Sequence, residues 1–159
     1  MERLTARFKD VLGRFASGVT VITSIDGEGP AGFSCQSFSS LSLDPPLVLF
    51  CVSKSSTSWP RIAATGRFAV NILAADQQDV CRAFAVSGAD KFAAVDWTRS
   101  PYGTAHLEGA LATVDCHVAD VHDAGDHLIV IGAVRELRDG RDHPPLLFFR
   151  GAYAQAAVR

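Results

Sequence analysis

The first half of the chain consists of short apolar runs separated by turn residues. Val19–Ser24 alternates as a β-strand does, DGEGP follows as a turn, and Ala31–Phe38 can return antiparallel to the first run. Leu47–Val52 and Arg67–Leu73 are further runs rich in β-branched and aromatic residues. The pattern therefore predicts a hairpin followed by two more strands.

The second half carries the longest runs of β-type residues. Leu111–Val121 and Leu128–Leu137 are joined through HDAGDH, which predicts a long hairpin. Pro145–Tyr153, PLLFFRGAY, is expected to form one last strand. Six or seven strands in all are expected, with Asp44-Pro45-Pro46 interrupting them because proline lacks a backbone N–H donor.

Helical spacing is confined to a few segments. An amphipathic opening helix is predicted to end near Gly18, a short helix to cover Trp59–Ala64, and a third to cover Asp76–Phe84 with Asp76 as its N-cap. The region Ala85–His106 is expected to be irregular, with a short helix near Lys91. The apolar face of the opening helix comprises Leu4, Phe8, Val11, Leu12 and Phe15.

Many short strands and few helices predict a mainly β fold. An antiparallel barrel is the expected architecture, because closure removes exposed sheet edges. The sequence shows no repeat, low-complexity tract or linker, so residues 1–159 are expected to form a single domain.

Composition narrows the possible partners. A formal net charge of −2, with no basic run, argues against nucleic acid and anionic membranes, and no segment has the length of an apolar membrane span. A hydrophobic content of 48% with only 20% charged residues predicts apolar surface that is buried against a ligand or a second copy. Widely spaced cysteines without a CxxC pair indicate reduced thiols and a cytoplasmic protein, and the spacing of the histidines predicts no metal site.

The stretch CVSKSSTSW changes abruptly from apolar to hydroxyl-rich after the strand Leu47–Val52. Its hydroxyls, the charge of Lys54 and the free N–H groups of a following helix are what a phosphate group needs. The alternative is a solvated loop in which Ser58 or Thr57 merely caps that helix. A second polar run, Cys35–Pro46, holds serines and a glutamine that suit the heteroatom edge of a planar ring, although serine-rich loops are common.

A resemblance connects the two polar runs. GFSCQSFSSLSLDPPLVLFCVSKSSTSW, followed by GRFAVNIL, DKFAAVDW, AGDHLIVIGAV and PLLFFRGAY, resembles the short-chain flavin reductases over nearly the whole chain. These are the NAD(P)H-dependent partners of two-component flavin monooxygenases. The similarity is greatest to reductases that serve hydroxylases of aromatic or steroid-derived phenols. The resemblance implies an FMN-binding split β-barrel of Greek-key type with a few flanking helices, and a homodimer.

The resemblance also implies the roles of particular residues. The segment lining the flavin ring is matched by Gln36, Ser37, Ser39 and Ser40. The phosphate loop is matched by Ser53, Lys54, Ser56, Thr57 and Ser58. Lys91 and Phe92 match a further flavin-contacting pair, and Tyr153 an aromatic residue close to the ring or in packing. His127, in AGDH, matches a histidine near the nicotinamide; the alternative is a turn histidine at a strand end.

The implied reaction is hydride transfer from NADH or NADPH to FMN or FAD, with reduced flavin passing to a separate oxygenase. Because flavin and nicotinamide carry this chemistry, small hydroxyls and backbone amides suffice, and no catalytic triad is needed. Two alternatives remain at this point: a non-catalytic flavin-binding or carrier protein, and an oxidase of the pyridoxamine-phosphate type.

Overall fold

The computed structural model describes residues 1–88 and 90–157, which are mainly β, as predicted. The helices of this part are α1 (Glu2–Leu12), α2 (Trp59–Thr65) and α3 (Gln78–Phe84). The strands are β1 (Ser17–Gly18), β2 (Thr20–Asp26), β3 (Gly29–Cys35), β4 (Phe38–Ser42), β5 (Leu47–Ser53), β6 (Arg67–Ile72), β7 (Trp97–Arg99), β8 (Ala105–Leu107), β9 (Ala112–Ala124), β10 (His127–Asp139), β11 (Leu146–Phe149) and β12 (Ala152–Gln155).

One seven-stranded antiparallel sheet dominates the fold, in the order β3-β2-β6-β9-β10-β5-β4. The predicted first hairpin is present, with Thr20 opposite Cys35. The predicted long hairpin β9–β10 is also present, and β10 pairs with β5 so that His127 lies opposite Ser53. This register places the AGDH turn beside the hydroxyl-rich loop.

The strand that leads into this loop is fixed by an aromatic cluster. Phe50 of β5 is fully buried, and its ring makes edge-to-face contacts with Phe33, Trp59 and Phe68 at centroid distances of 5.9, 5.8 and 5.0 Å. Each such contact adds about 0.5–1.5 kcal/mol beyond area burial. Gly132 of β10 leaves room for this cluster, because a Cβ there would lie 2.5 Å from the Phe68 ring. The end of β5 is therefore held rigidly.

The opening helix differs from its prediction in length and packing. It ends at Leu12 rather than near Gly18, because Ser17 and Gly18 pair with β11 as a short strand and must be extended. None of its residues is buried: Phe8 is 59% exposed, and Phe15, which lies beyond the end of the helix, is 83% exposed. No helix in the described part of the chain has the length and apolarity needed to cross a bilayer.

Two predictions in the middle of the chain are wrong. Asp76 does not cap α3; the cap position belongs to Gln77, and the Asp76 carboxylate instead binds Arg141 at 2.6 Å. The region around Lys91 is a turn rather than a short helix. After it, β7 and β8 form a small hairpin that local sequence did not predict.

The strand count was also too low. Pro145–Tyr153 does not form one strand: β11 and β12 make a hairpin whose turn, Arg150-Gly151, has positive φ at both residues. Twelve strands occur in the described residues, whereas six or seven were expected. Most of the strands that the pattern missed are shorter than five residues, and such short strands carry little periodic signal. Most of the additional strands lie in a three-stranded sheet, β1-β11-β12, and in the two-stranded β7-β8 sheet, whereas β4 joins the main sheet.

The second polar run, Cys35–Pro46, contains β4. Its residues Phe38–Ser42 pair with β5 at one edge of the main sheet. The hydrogen-bonded ladder, as described, ends at β3 on one side and β4 on the other, so it does not close into a continuous barrel. Gln36 and Ser37 alone join these two edge strands.

Candidate functional site

A cavity of about 400 Å³ lies where β3, β5 and the start of β10 meet the segment after α3. The residues that line it come from segments far apart in the sequence. It brings together seven of the predicted site residues: Gln36, Ser37, Ser53, Ser56, Thr57, Lys91 and His127. The two polar runs and the AGDH turn therefore share one site.

The hydroxyl-rich loop is folded by its own hydrogen bonds. The Ser56 N–H donates to the Ser53 carbonyl at 3.1 Å, and the Ser53 and Ser55 hydroxyls lie 2.8 Å apart. Ser58 occupies the N-cap position of α2 but makes no side-chain cap hydrogen bond; the Trp59 N–H donates instead to Ser56 Oγ at 3.1 Å, so neither Ser58 nor Thr57 caps the helix through its side chain. Thr57 remains exposed at the cavity, with its hydroxyl 3.3 Å from that of Ser87.

Lys54 does not line the cavity; it connects the loop to the β9–β10 hairpin. Its ammonium donates to Asp123 at 2.6 Å, and its backbone N–H donates to the Asp126 carbonyl at 3.0 Å. The Asp126 carboxylate lies 2.7 Å from His127 Nδ1, and this hydrogen bond holds the pKa of Asp126 below its usual value. With Nδ1 engaged, Nε2 is the ring nitrogen of His127 available to a ligand.

Lys91 is the cation of the cavity wall. Its ammonium donates to the Gly32 carbonyl at 2.9 Å, to Ser58 Oγ at 3.3 Å and to the Phe84 carbonyl at 3.5 Å. Among residues 1–88 and 90–157, no carboxylate lies within 4 Å of it. Partial burial lowers the pKa of Lys91. A half-buried charge with only neutral acceptors attracts an anionic group strongly.

Part of the cavity lining is apolar. It includes Phe33 and Phe84 and the thiol-bearing residues Cys35 and Cys51. Burial raises the pKa of Cys35 to about 11, so this thiol stays protonated and is not a nucleophile near neutral pH. All four cysteines are free thiols in the structure.

Three predicted residues lie beside the cavity rather than in its wall. Ser58 is buried and donates its hydroxyl to the Gly32 carbonyl at 2.9 Å. Ser39 and Ser40 lie on β4, where the Ser39 hydroxyl donates to the Ser40 carbonyl at 2.8 Å. Ser39 lines a separate apolar cavity that also borders Gln36 and Ser37.

The two predicted aromatic residues pack in a hydrophobic cluster that also contains Leu73, Phe84 and Leu146. Phe92 is buried, with its ring edge-to-face against Phe84 at a centroid distance of 4.8 Å. Tyr153 packs against Phe148, and Arg82 lies over its ring at 5.2 Å. Burial raises the pKa of Tyr153 to about 12. Neither residue lines the 400 Å³ cavity.

Part of the cavity wall is formed by residues that no local sequence pattern marks as site residues. Ala85, Val86 and Ser87 follow α3 and reach the cavity because α3 packs on β3, where the Ser34 hydroxyl donates to the Cys81 carbonyl at 2.6 Å. Only tertiary packing brings them there. His106 lies outside the cavity; it is buried, with Nε2 3.0 Å from Asp115.

Comparison with known proteins identifies the class to which this fold and cavity belong. Residues 12–157 match the model of the flavin reductase like domain, and the chain belongs to that family. It is 53% identical, over 92% of this chain and 75% of the relative, to the flavin-dependent monooxygenase reductase subunit HsaB of Rhodococcus jostii. It is 41% identical, over 93% of this chain and 84% of the relative, to the FMN reductase (NADH) SmoA of Agrobacterium fabrum.

Solved structures agree with this assignment. The NADH:FAD oxidoreductase SgcE6 of Streptomyces globisporus, in complex with NAD and FAD fragments, superposes with a TM-score of 0.92 at 35% identity, over 99% of this chain and 95% of that one. The prediction of a flavin reductase, an oxidoreductase that uses a flavin and a nicotinamide nucleotide, is confirmed. The two alternatives, a flavin carrier and a pyridoxamine-phosphate-type oxidase, are set aside.

Proposed function

We propose that the 400 Å³ cavity is where this flavin reductase holds its flavin. The exposed corner of Gln36 and Ser37 offers amide and hydroxyl groups to the heteroatom edge of the ring, with Ser39 and Ser40 following on β4. Phe33 and Cys51 would supply apolar contact to the ring. A small number of polar groups at an apolar pocket is the usual composition of a site for a planar ligand.

The flavin phosphate is assigned to the opposite end of the cavity. The hydroxyls of Ser53, Ser56 and Thr57 line that end, and Lys91 supplies a positive charge with neutral acceptors only. Lys54 adds a second positive charge, which Asp123 partly offsets. Buried Ser58 and Phe92 support this wall from behind through Gly32 and Phe84. The observation that carries the proposal is the meeting of the hydroxyl-rich loop, Lys91 and His127 in one cavity.

His127 is assigned to the nicotinamide. Its ring is exposed at the cavity edge, and Asp126 fixes its orientation through Nδ1. Nε2 can then bind the carboxamide or orient the ring over the flavin. When bound, the flavin accepts a hydride from the nicotinamide. The protein holds the two rings together and shields them from water, and neither task needs an acid or a base. Tyr153 is left with a packing role at the base of α3.

The finer architecture follows from chain connectivity. Cys35 and Phe38 end the two edge strands and are three residues apart, so the edges β3 and β4 lie within roughly 11 Å of each other there. A sheet whose first and last strands meet in this way is a barrel with one split seam. We therefore assign the split β-barrel architecture, with the flavin cavity at the corner of the seam.

A homodimer accounts for the apolar surface that the monomer leaves exposed. Leu4, Phe8, Phe15 and Leu43 are each more than half exposed, and Phe15 borders a largely apolar cavity of about 600 Å³. Gln36 and Ser37 line both this cavity and the flavin cavity, so a second copy placed here would complete the flavin site. Patches of this kind mark interaction surfaces.

The role in metabolism is proposed from the relatives. HsaB is named a reductase subunit of a flavin-dependent monooxygenase, and it shares 53% identity with this chain. We assign the protein as a cytoplasmic reductase that supplies reduced flavin to a separate oxygenase acting on an aromatic or steroid-derived phenol. Steady-state oxidation of NADH and NADPH, each with FMN and FAD, tests the reductase step, and no flavin-dependent oxidation with any pair would refute it.

A further inference from the structure

A small cavity lies at the end of the β9–β10 hairpin that is remote from the flavin cavity. It has a volume of about 260 Å³ and is formed by the β7–β8 hairpin, the start of β9, the end of β10 and the turns beside them. Arg138 in its wall and His127 at the flavin cavity lie on the same strand, roughly 36 Å apart along an extended chain. Drug-sized ligands usually occupy about 300–1,000 Å³, so this cavity suits a smaller molecule.

A histidine in the wall of this cavity is held by a buried carboxylate. The side chains of His106 and Asp115 are 8% and 6% exposed, and His106 Nε2 lies 3.0 Å from one carboxylate oxygen and 3.1 Å from the other. The Thr104 hydroxyl donates to the same carboxylate, so the pair is fixed in orientation. Among residues 1–88 and 90–157, His106 Nδ1 has no hydrogen-bond partner. Because His106 lines the cavity, Nδ1 is the ring nitrogen left for a ligand.

A second buried polar group in the same wall lacks a partner. Thr113 lines the cavity, and its hydroxyl is the only buried side-chain nitrogen or oxygen in the described part of the chain that makes no hydrogen bond. A buried hydroxyl without a partner is unfavourable, so a ligand group that accepts its hydrogen gains affinity. Thr113 lies directly opposite Arg138 in the β9–β10 ladder, so the two side chains are neighbours on one face of the sheet.

The charged residues of the cavity have both signs. Arg138, Glu108 and Asp139 line it, and none of the three has a described residue of opposite charge within 4 Å. Arg141 also lines the cavity, but both of its terminal nitrogens donate to Asp76. A free guanidinium binds a carboxylate through two parallel hydrogen bonds, whereas the two carboxylates attract a cation. The wall therefore suits a zwitterion better than a simple anion or cation.

We propose that this cavity binds a free α-amino acid with a small side chain. Arg138 and the Thr113 hydroxyl bind its carboxylate, and His106 Nδ1 and Glu108 bind its ammonium. The neutral imidazole, with Nε2 facing Asp115, accepts a hydrogen bond at Nδ1. This site is separate from the flavin site, because the two cavities share no lining residue.

Three matched compounds test the requirement for both charges. L-Serine carries both, 3-hydroxypropanoate lacks the ammonium, and ethanolamine lacks the carboxylate. Calorimetric titration should show saturable binding of L-serine at one site, with a Kd at least about tenfold lower than that of either analogue. Equal affinities for all three compounds would overturn the proposal. An absence of saturable L-serine binding would also overturn it, and would leave the Thr113 hydroxyl to water.

Variants and a spectroscopic measurement locate the binding. Arg138→Gln removes the guanidinium at an exposed position and should raise the Kd for L-serine about tenfold or more. Arg99→Gln, at an exposed position of β7 outside the cavity, is the matched control and should change this Kd by less than about twofold. In the unmodified protein, L-serine should shift the nitrogen NMR signals of the His106 ring and leave those of His127 in place. Unchanged His106 signals, or full affinity in Arg138→Gln, would refute the assignment.

Discussion

Replacing Lys91 by Met removes the positive charge from the wall of the flavin cavity. Methionine keeps most of the length of the side chain and removes the ammonium. The Gly32 carbonyl loses one donor but keeps the Ser58 hydroxyl at 2.9 Å, and the Phe84 carbonyl loses only a long contact of 3.5 Å. The fold should therefore be retained with a small loss of stability, because no short hydrogen bond to a buried acceptor is removed without a substitute.

The expected loss of affinity concerns the flavin phosphate. A hydrogen bond to a charged group is worth about 1.5–3 kcal/mol, so the Kd for FMN should rise roughly 10- to 150-fold. Riboflavin carries the same ring without the phosphate, and its Kd should change by less than about twofold. Lys91→Arg keeps the charge and should retain most of the FMN affinity. Fluorescence titration of both flavins, with denaturant unfolding of each variant, measures these effects.

If Lys91 binds the flavin phosphate, the affinity for FMN should depend on pH. Burial lowers the pKa of Lys91, and a bound phosphate would raise it again. A group whose pKa is higher in the complex favours binding below its pKa in the unliganded protein, and this contribution is lost as the pH rises towards the pKa in the complex. FMN affinity should therefore fall on the alkaline side, whereas riboflavin affinity should not. Parallel losses for FMN and riboflavin in Lys91→Met would refute the phosphate assignment.

Three further perturbations test other parts of the account. His127→Ala should lower kcat/KM for NADH by roughly 10- to 100-fold while the flavin Kd changes by less than about threefold; lost flavin binding would place His127 at the flavin. Lys54→Ala should weaken FMN binding about tenfold. Asp123→Asn removes the carboxylate that offsets the charge of Lys54, so it should tighten FMN binding a few-fold at low salt. No change in FMN binding in either variant would mean that Lys54 only links the hydroxyl-rich loop to the β9–β10 hairpin. The protein should sediment as a dimer at micromolar concentration, and the double variant Phe8→Glu, Phe15→Glu should shift it towards monomer. An unmodified protein that is monomeric and still binds flavin tightly would contradict the proposed dimer interface.

The pattern of apolar and polar residues predicted the strands that are long enough to show it. The first hairpin, the strand into the hydroxyl loop and the long β9–β10 hairpin all have alternating or continuous β-type residues over five or more positions. The opening helix shows the limit of such patterns. Its spacing predicted an amphipathic helix, but nothing in Leu4 to Phe15 says what covers the apolar face, and in the monomer that face is exposed.

The candidate site was predictable only where its residues carry distinctive chemistry. The serine runs stood out because polar groups interrupt β-type segments, whereas His127 was assigned only through the resemblance of AGDH to the flavin reductases. The engagement of Lys54 by Asp123 could not be foreseen, since it depends on the β5–β10 register across the sheet. Ser87 and its neighbours reach the cavity only through the packing of α3 on β3, a contact between segments about 47 residues apart.

Single-turnover reduction of bound flavin tests the central claim most directly. The protein with one equivalent of flavin is mixed anaerobically with NADH in a stopped-flow instrument, and loss of the flavin absorbance is followed. The account predicts rapid bleaching, slowed by deuterium at nicotinamide C4 and slowed further in His127→Ala at unchanged flavin occupancy. Bleaching that is absent in the unmodified protein, or equally fast in His127→Ala, would contradict the assignment of this cavity as the site of hydride transfer.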